Sequence, residues 1–300
     1  MLELGQGCNL KCVHCYNFDR ARPRPARDEL DAGEWRRVMA ELRAEGCHQV
    51  GFTGGEPMAF PGFYDLVELA AELGMAASVV TNATLPVERL ASYEHIVDVA
   101  ISVYGASAAP HDAITRVPGS FERTMKAART LRDAGTPVTL KFVAMKSNVG
   151  DLAGVQAWGF TVEVNPYLYP RHDGDTTLLD RRVEPGAVPG VESAGDLICA
   201  CARSNCGITS KGDVTPCISV PMACGSVRRE PFGKIWAESP QLNRIRHLRP
   251  EDFTTCFPCE LRRFCRRTHG PVYSQSGTVT GYDPWACLDA AATLIPQPDK

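Results

Sequence analysis

The chain has 300 residues, 44% of them hydrophobic, and a formal net charge of −3. That is enough apolar material for one large domain or two modest ones, and a near-neutral balance gives no electrostatic reason to bind nucleic acid or an anionic membrane. No apolar run approaches the ~18 residues of a membrane span, and MLELGQGCNLK lacks the charged-then-apolar form of a signal peptide, so a cytoplasmic location is expected.

Taken in order, LELGQ (2–6) is a short apolar strand, followed at once by Cys8, Cys12 and Cys15 in CNLKCVHC. DAGEWRRVMAELRAEG (31–46) is a helix with Asp31 as N-cap, Glu34 three residues on, and Trp35, Val38, Met39 and Leu42 on one face. QVGFTGG (49–55) runs from strand into glycine turn. FYDLVELAAELG (63–74) is helical, AASVVTN (76–82) and VDVAISVYG (97–105) are strands, and SFERTMKAARTLRDAG (120–135) is a helix with Ser120 as its cap. PVTLKFVAM (137–145) and FTVEVNPY (160–167) are further strands. Alternating strands and helices imply parallel strands joined by helical crossovers. About six units fit before residue 170, short of the eight of a closed barrel. The expected fold is therefore α/β: a partial (β/α)6 TIM-like barrel over 1–175, a loop-like linker over 176–198, a small cysteine-rich domain over 199–290 and a tail over 291–300.

The 13 cysteines are unevenly placed: three by residue 15, Cys47 alone, and nine from Cys199 to Cys287. In a reducing compartment such groups are more often metal ligands than disulfides. Short segments rich in glycine and proline bury little core, so metals are expected to hold the second part together. A structural zinc knuckle at Cys8, Cys12 and Cys15 would want a fourth ligand. His14 is nearby but adjacent to Cys15 and badly placed for the same ion. Three thiolates on one loop suit instead a cubane iron–sulfur cluster with one iron left open. Spacing alone leaves both readings standing.

TGGEP (53–57), after the second strand, adds to C8-x3-C12-x2-C15. Together the two motifs resemble the radical S-adenosylmethionine (SAM) superfamily, over residues 2 to about 167. The resemblance implies a [4Fe–4S] cluster on Cys8, Cys12 and Cys15, whose open iron binds the amino and carboxylate groups of SAM. It implies that Gly54 and Gly55 line the amino group and that Glu56 accepts from it. His14 would lie near adenine, Ser102 would reach the ribose or carboxylate, and Arg116, or else Arg123, would meet the carboxylate. Asn165 and Tyr167, ending the last strand, would face the open mouth. HDAITRVPGSFERT (111–124) looks like a segment of peptide- and natural-product-modifying members.

The tail C256-x2-C259-x5-C265 with Cys287 reads on spacing as a zinc ribbon or a cluster site. With Cys201-x10-Gly212-x4-Cys217 and GKIW (233–236) it resembles the SPASM auxiliary-cluster domain. That resemblance implies one auxiliary [4Fe–4S] cluster on Cys256, Cys259, Cys265 and Cys287. A second would use Cys201, Cys206, Cys217 and the position held here by His269, where the pattern has cysteine. If the second cluster is absent, Cys217 becomes a candidate hydrogen donor to a substrate radical; Cys199 and Cys224, outside the pattern, are the other candidates.

The chemistry implied is reductive cleavage of SAM to a 5′-deoxyadenosyl radical that takes hydrogen from an unactivated C–H bond. A donor thiol would make the outcome an epimer; an electron-accepting auxiliary cluster would make it an oxidation or crosslink. An imperfect auxiliary set with spare cysteines favours epimerisation of a sugar carbon in an aminoglycoside-type antibiotic. Peptide maturation by epimerisation, thioether or C–C crosslinking comes next, then dehydrogenation of a cyclitol alcohol. An iron–sulfur electron carrier or a zinc-stabilised binding protein is the non-enzymatic alternative. The expected partners are a small molecule or peptide and a one-electron donor such as flavodoxin or ferredoxin, the chain itself being a monomer.

Overall fold

The computed structural model describes residues 1–16, 28–171, 175–188 and 196–294. Residues 189–195 of the expected linker and 295–300 of the expected tail lie outside the described residues. The first part alternates as expected: β1 (Leu2–Glu3), α1 (Ala32–Ala44), β2 (Gln49–Thr53), α2 (Phe63–Glu72), β3 (Ala76–Thr81), β4 (Ile96–Val103), α3 (Ala108–Thr115), α4 (Ser120–Asp133), β5 (Val138–Val143), α5 (Leu152–Gln156) and β6 (Thr161–Asn165). The later part holds β7 (Gly207–Ile208), β8 (Val214–Thr215), α6 (Phe232–Glu238), α7 (Pro240–Arg246), α8 (His269–Ser276) and α9 (Pro284–Ala292). Among the described residues no helix is long and apolar enough to cross a membrane.

One eight-stranded sheet runs β6-β5-β4-β3-β2-β1-β7-β8. β1 to β6 are mutually parallel, as helical crossovers require. β7 then joins the outer edge of β1 in parallel, Leu2 opposite Ile208, and β8 returns antiparallel. The cysteine-rich part thus extends the sheet of the barrel. Strand side chains alternate faces. Leu2 and Phe52, in register, lie on the helix side, where Phe52 meets Phe63 edge-on at 5.9 Å. Glu3 and Thr53, the next register pair, share the opposite, lumenal face.

Local chemistry sets the helix ends. At α1, Asp31 Oδ1 accepts from Glu34 N at 2.8 Å while Glu34 Oε2 accepts from Asp31 N at 2.9 Å, so two orphan donors are satisfied reciprocally. Trp35, Val38, Met39 and Leu42 form its buried face. α4 departs from expectation. Its N-cap is Gly119, left-handed at φ 73°, and Ser120 is buried inside the first turn. The cap is supplied from α3 instead: Asp112 accepts from Gly119 N, Phe121 N and Ser120 Oγ at 2.6, 2.9 and 2.8 Å. These donors hold the Asp112 carboxyl below its usual range against the opposing effect of burial, the largest single influence on it.

Candidate active site

The loop carrying Cys8, Cys12 and Cys15 is pinned along its length. Lys11 N and Val13 N donate to the carbonyls of Thr115 and Ile114, at 3.0 and 2.9 Å, which fastens it to the end of α3. Cys15 N donates to Cys12 O at 3.3 Å, closing a turn. Cys8 Sγ accepts from Leu10 N at 3.4 Å and from Asn82 Nδ2 at 3.8 Å, while desolvation, the larger influence, pushes its thiol up to about 11. Three thiols on one short loop, one of them already exposed and provided with donors, fit a cluster ligated by three cysteines. Among the described residues no three His, Cys, Asp or Glu side chains are gathered round a single metal ion.

Gly54 and Gly55 lie against the segment that leads into this loop. Gly55 N donates to Gly5 O at 2.8 Å and Glu56 N to Gly7 O at 2.9 Å. A Cβ on Gly55 would fall 2.2 Å from Gly7 O, so only glycine permits the approach. Glu56 is 3% exposed. Its Oε1 accepts from Thr81 Oγ1 at 2.7 Å and Met58 N at 3.1 Å, and its Oε2 from Asn82 N at 2.9 Å. Two of a carboxylate's roughly four acceptor positions thus tie the glycine turn to the end of β3, a third closes that turn on Met58 N, and one is left for an outside donor.

His14 lies edge-on to Tyr104, ring centroids 4.7 Å apart. Tyr104 follows β4, shares a side-chain hydrogen bond with Ser102, and is close enough to Cys8, Cys12 and Cys15 to feel their charge. Ser102, His14 and the cysteine loop therefore meet round a tyrosine that the sequence pattern did not single out. Arg116 is exposed, left-handed at φ 58°, one residue beyond the carbonyl that holds Lys11. Asn165 lines the lumenal cavity described below. Tyr167 turns away from the mouth: its hydroxyl donates to Arg266 O and its ring meets Trp285 edge-on at 5.5 Å, making a strut to the C-terminal part.

Two further groups on the lumenal side were not anticipated. Glu3 is 7% exposed, and its Oε1 has no hydrogen-bond partner. Burial pushes its carboxyl up to about 7, opposed by a hydrogen bond from Tyr16. Tyr16, next to Cys15, leans edge-on against Tyr169 at 6.4 Å.

In the C-terminal part, Cys256, Cys259, Cys265 and Cys287 line one cavity together with Arg267. Cys265 feels the charge of the other three. Arg267, held by Gly281 O at 2.9 Å, is close enough to Cys256 and Cys265 for their charges to act on it. Four convergent thiols facing an interior cation fit an anionic iron–sulfur cluster. The other expected set is gathered differently. Cys201 and Cys217 are hydrogen-bonded to each other, and His269 Nδ1 lies 3.0 Å from the sulfur of Cys199. Cys206 is elsewhere, in the surroundings of Cys47, Arg246 and the N-terminal ammonium. Cys224 is a buried core thiol within 3.3 Å of Met222 O, and burial pushes it up to about 12.

Between the two parts lies a cavity of about 590 Å3. Thr53, Lys141 and Asn165 of the strands form one wall, Ser219 and Tyr273 of the C-terminal part the other, and Tyr16 reaches it from the cysteine loop. Lys141 is paired with Glu163 at 3.1 Å. The volume is that of a typical ligand site.

The radical SAM superfamily pattern matches residues 2–153, and the SPASM iron–sulfur cluster-binding domain pattern matches residues 199–260. Over 94% of its length the chain is 26% identical to the AdoMet-dependent heme synthase of Nitratidesulfovibrio vulgaris, covering 90% of that protein. It is 28% identical to the PqqA peptide cyclase of Gluconobacter oxydans over its whole length, covering 91% of that relative. The fold is shared with Streptococcus suis SuiB bound to its precursor peptide SuiA, with a TM-score of 0.72 and 18% identity over 95% of this chain and 74% of that one.

Proposed function

The chain belongs to the radical SAM superfamily and carries a SPASM iron–sulfur domain; from that premise we propose that it matures a peptide by forming a new bond within it. As a SPASM-type radical SAM enzyme it takes a [4Fe–4S] cluster with SAM and auxiliary clusters. Bound at the cysteine loop, cluster and SAM supply one-electron cleavage to a carbon radical that takes hydrogen from an unactivated C–H bond.

The residues of the chain do the positioning. Cys8, Cys12 and Cys15 hold the cluster on a loop fastened to α3. The TGGE turn, packed on residues 5–7, and the free acceptor position of Glu56 are assigned to the SAM amino group, and His14 to the adenine side. Ser102 is assigned to the ribose or carboxylate and Arg116 to the carboxylate. The observation that carries the reading is the cavity of about 590 Å3. It touches the cysteine loop at Tyr16 and the SPASM loop after Cys217 at Ser219, so a bound chain would lie between the two centres. The PqqA peptide cyclase and the peptide-bound SuiB act on or bind peptides, which moves the substrate from a sugar carbon to a peptide. No support for the sugar comes from those relatives.

The placement of the candidate donor thiols favours bond formation over epimerisation. Cys199 faces His269, Cys217 faces Cys201 and Ser219, and Cys224 is buried in the core. Clusters held by the C-terminal thiols would supply a place for the electron released by bond formation, and a flavodoxin- or ferredoxin-type protein would supply the priming electron to a monomeric enzyme. A second reading, a step in haem synthesis, rests on the similarity to the heme synthase.

Anaerobically reconstituted protein, SAM, dithionite and a ribosomal precursor peptide should yield 5′-deoxyadenosine and a peptide lighter by two hydrogen atoms. An isobaric peptide carrying solvent deuterium at one α-carbon would restore epimerisation. An untouched peptide, with turnover of a tetrapyrrole instead, would favour the second reading.

A further inference from the structure

We infer that the auxiliary centre nearest the cavity is held by Cys199, Cys201, Cys217 and His269, a three-thiolate, one-imidazole set, and that Cys206 is not a ligand. The inference rests on the SPASM assignment but not on the identity of the substrate.

The backbone brings these four side chains together from three segments. Ala202, left-handed at φ 57°, reverses the chain after Cys201. Its N–H is shared between Asn205 O at 2.9 Å and Pro216 O at 3.0 Å, which presses the turn onto the residue before Cys217. Cys201 is then hydrogen-bonded through its side chain to both Cys199 and Cys217. His269 arrives on the first turn of α8. Gly270 makes that possible: a Cβ there would fall 2.7 Å from Ser219, whose hydroxyl is 3.2 Å from Cys217 Sγ. Any larger residue at 270 would hold α8 off the Cys217 loop. His269 is 4% exposed, and its ring is fixed edge-on by Phe253 at 5.9 Å. The imidazole is therefore presented in one orientation, with Nδ1 toward the thiol of Cys199.

Cys206 leaves the same turn on the other side. Its carbonyl accepts from the Met1 ammonium at 2.9 Å. Together with Cys47 and Trp236 it lines a separate cavity behind β1. The SPASM resemblance implied Cys206 and left Cys199 outside the pattern; the reversal at Ala202 separates the two the other way.

Three thiolates and a neutral imidazole carry one negative charge fewer than four thiolates, so the oxidised centre is less stabilised and its reduction potential lies higher than that of an all-cysteine site. A centre held by this set would be the easier of the two to reduce.

The test uses the full-length protein reconstituted anaerobically with iron and sulfide. Cys199→Ser should lose the iron and sulfide of one whole cluster, and Cys206→Ser should lose none. Pulsed EPR of the reduced wild type should show a strongly coupled imidazole nitrogen that changes on 15N-histidine labelling. His269→Cys, which leaves a ligand in place should His269→Ala fail to fold, should keep the iron, lose the nitrogen coupling and show a lower midpoint potential. Retention of all iron in Cys199→Ser with loss in Cys206→Ser would overturn the assignment. So would a wild type with both auxiliary clusters but no nitrogen coupling. None of these readouts needs a substrate, so they stand apart from the fate of the peptide reading.

Discussion

The barrel and the cysteine-rich part share one sheet yet are stabilised in different ways. In the barrel, β3, β4 and β5 have six, eight and six residues, and Phe52, Phe63 and Phe142 are fully buried. In the C-terminal part the two strands have two residues each. Its thiols sit on loops and short turns apart from Cys287, which is carried by α9, and Cys259 is exposed. Burial of apolar area grows with regular structure, and short elements need other cross-links. The contrast teaches that the barrel builds its core on long paired strands, whereas the C-terminal part joins that same core through side chains such as Val214, Phe232, Ile235 and Leu242, with little regular structure of its own.

The strongest break of that contrast is at the cysteine loop. Replacing Cys8, Cys12 and Cys15 together by alanine should abolish SAM cleavage while leaving circular dichroism and thermal unfolding of the barrel close to wild type. A collapsed fold would show that the barrel also depends on its cluster. Next, Phe52→Ala removes a fully buried ring from the barrel core and should cost about 3–5 kcal/mol in chemical denaturation. A loss below about 1 kcal/mol would deny the core its role.

The third test is pH. Glu3, near 4.5 in the unfolded chain, is pushed up to about 7 by burial. A raised acid contributes its full stability below the unfolded value and loses it as pH rises through the folded one. Glu3→Gln should therefore be more stable than wild type by roughly 2–4 kcal/mol at pH 8, and nearly equal to it at pH 4. Equal stability at both values would mean that Glu3 is partnered in solution. The smallest effect is at α4, where Asp112→Ala removes a cap supplied from a neighbouring helix and should cost about 1 kcal/mol, read as a shift in the denaturation midpoint.

Much of the first part was legible because its signals are local. The 3.6-residue apolar face of α1 and its Asp31–Glu34 pair appear in the structure as read, and so does the alternation of strands and helices. The glycines of TGGEP were read as lining the SAM amino group; the structure adds a close approach to the carbonyls of residues 5–7 that the motif did not announce. What was not legible depends on direction in space. Ser120 looked like a cap because it opens the helix, but the acceptor is Asp112, eight positions earlier. Tyr167 closed a strand and was assigned to the mouth, but it braces Trp285. Glu3 is one of two residues in its strand, and only the register with Thr53 gives it a face. Counting residues between cysteines assigned Cys206 to the second cluster and left Cys199 outside it, because the turn that parts them is made by one left-handed residue, Ala202.

The pairing of β1 with β7 has a consequence for the order of synthesis. The Met1 ammonium reaches Cys206 O, 205 positions downstream, so one edge of the first strand waits for its neighbour. At about 5–20 residues per second, that edge is bare for roughly 10–40 seconds on the ribosome, inviting unwanted strand addition. Any factor that delivers iron to the nascent loop at Cys8 would meet a half-built barrel with its border open.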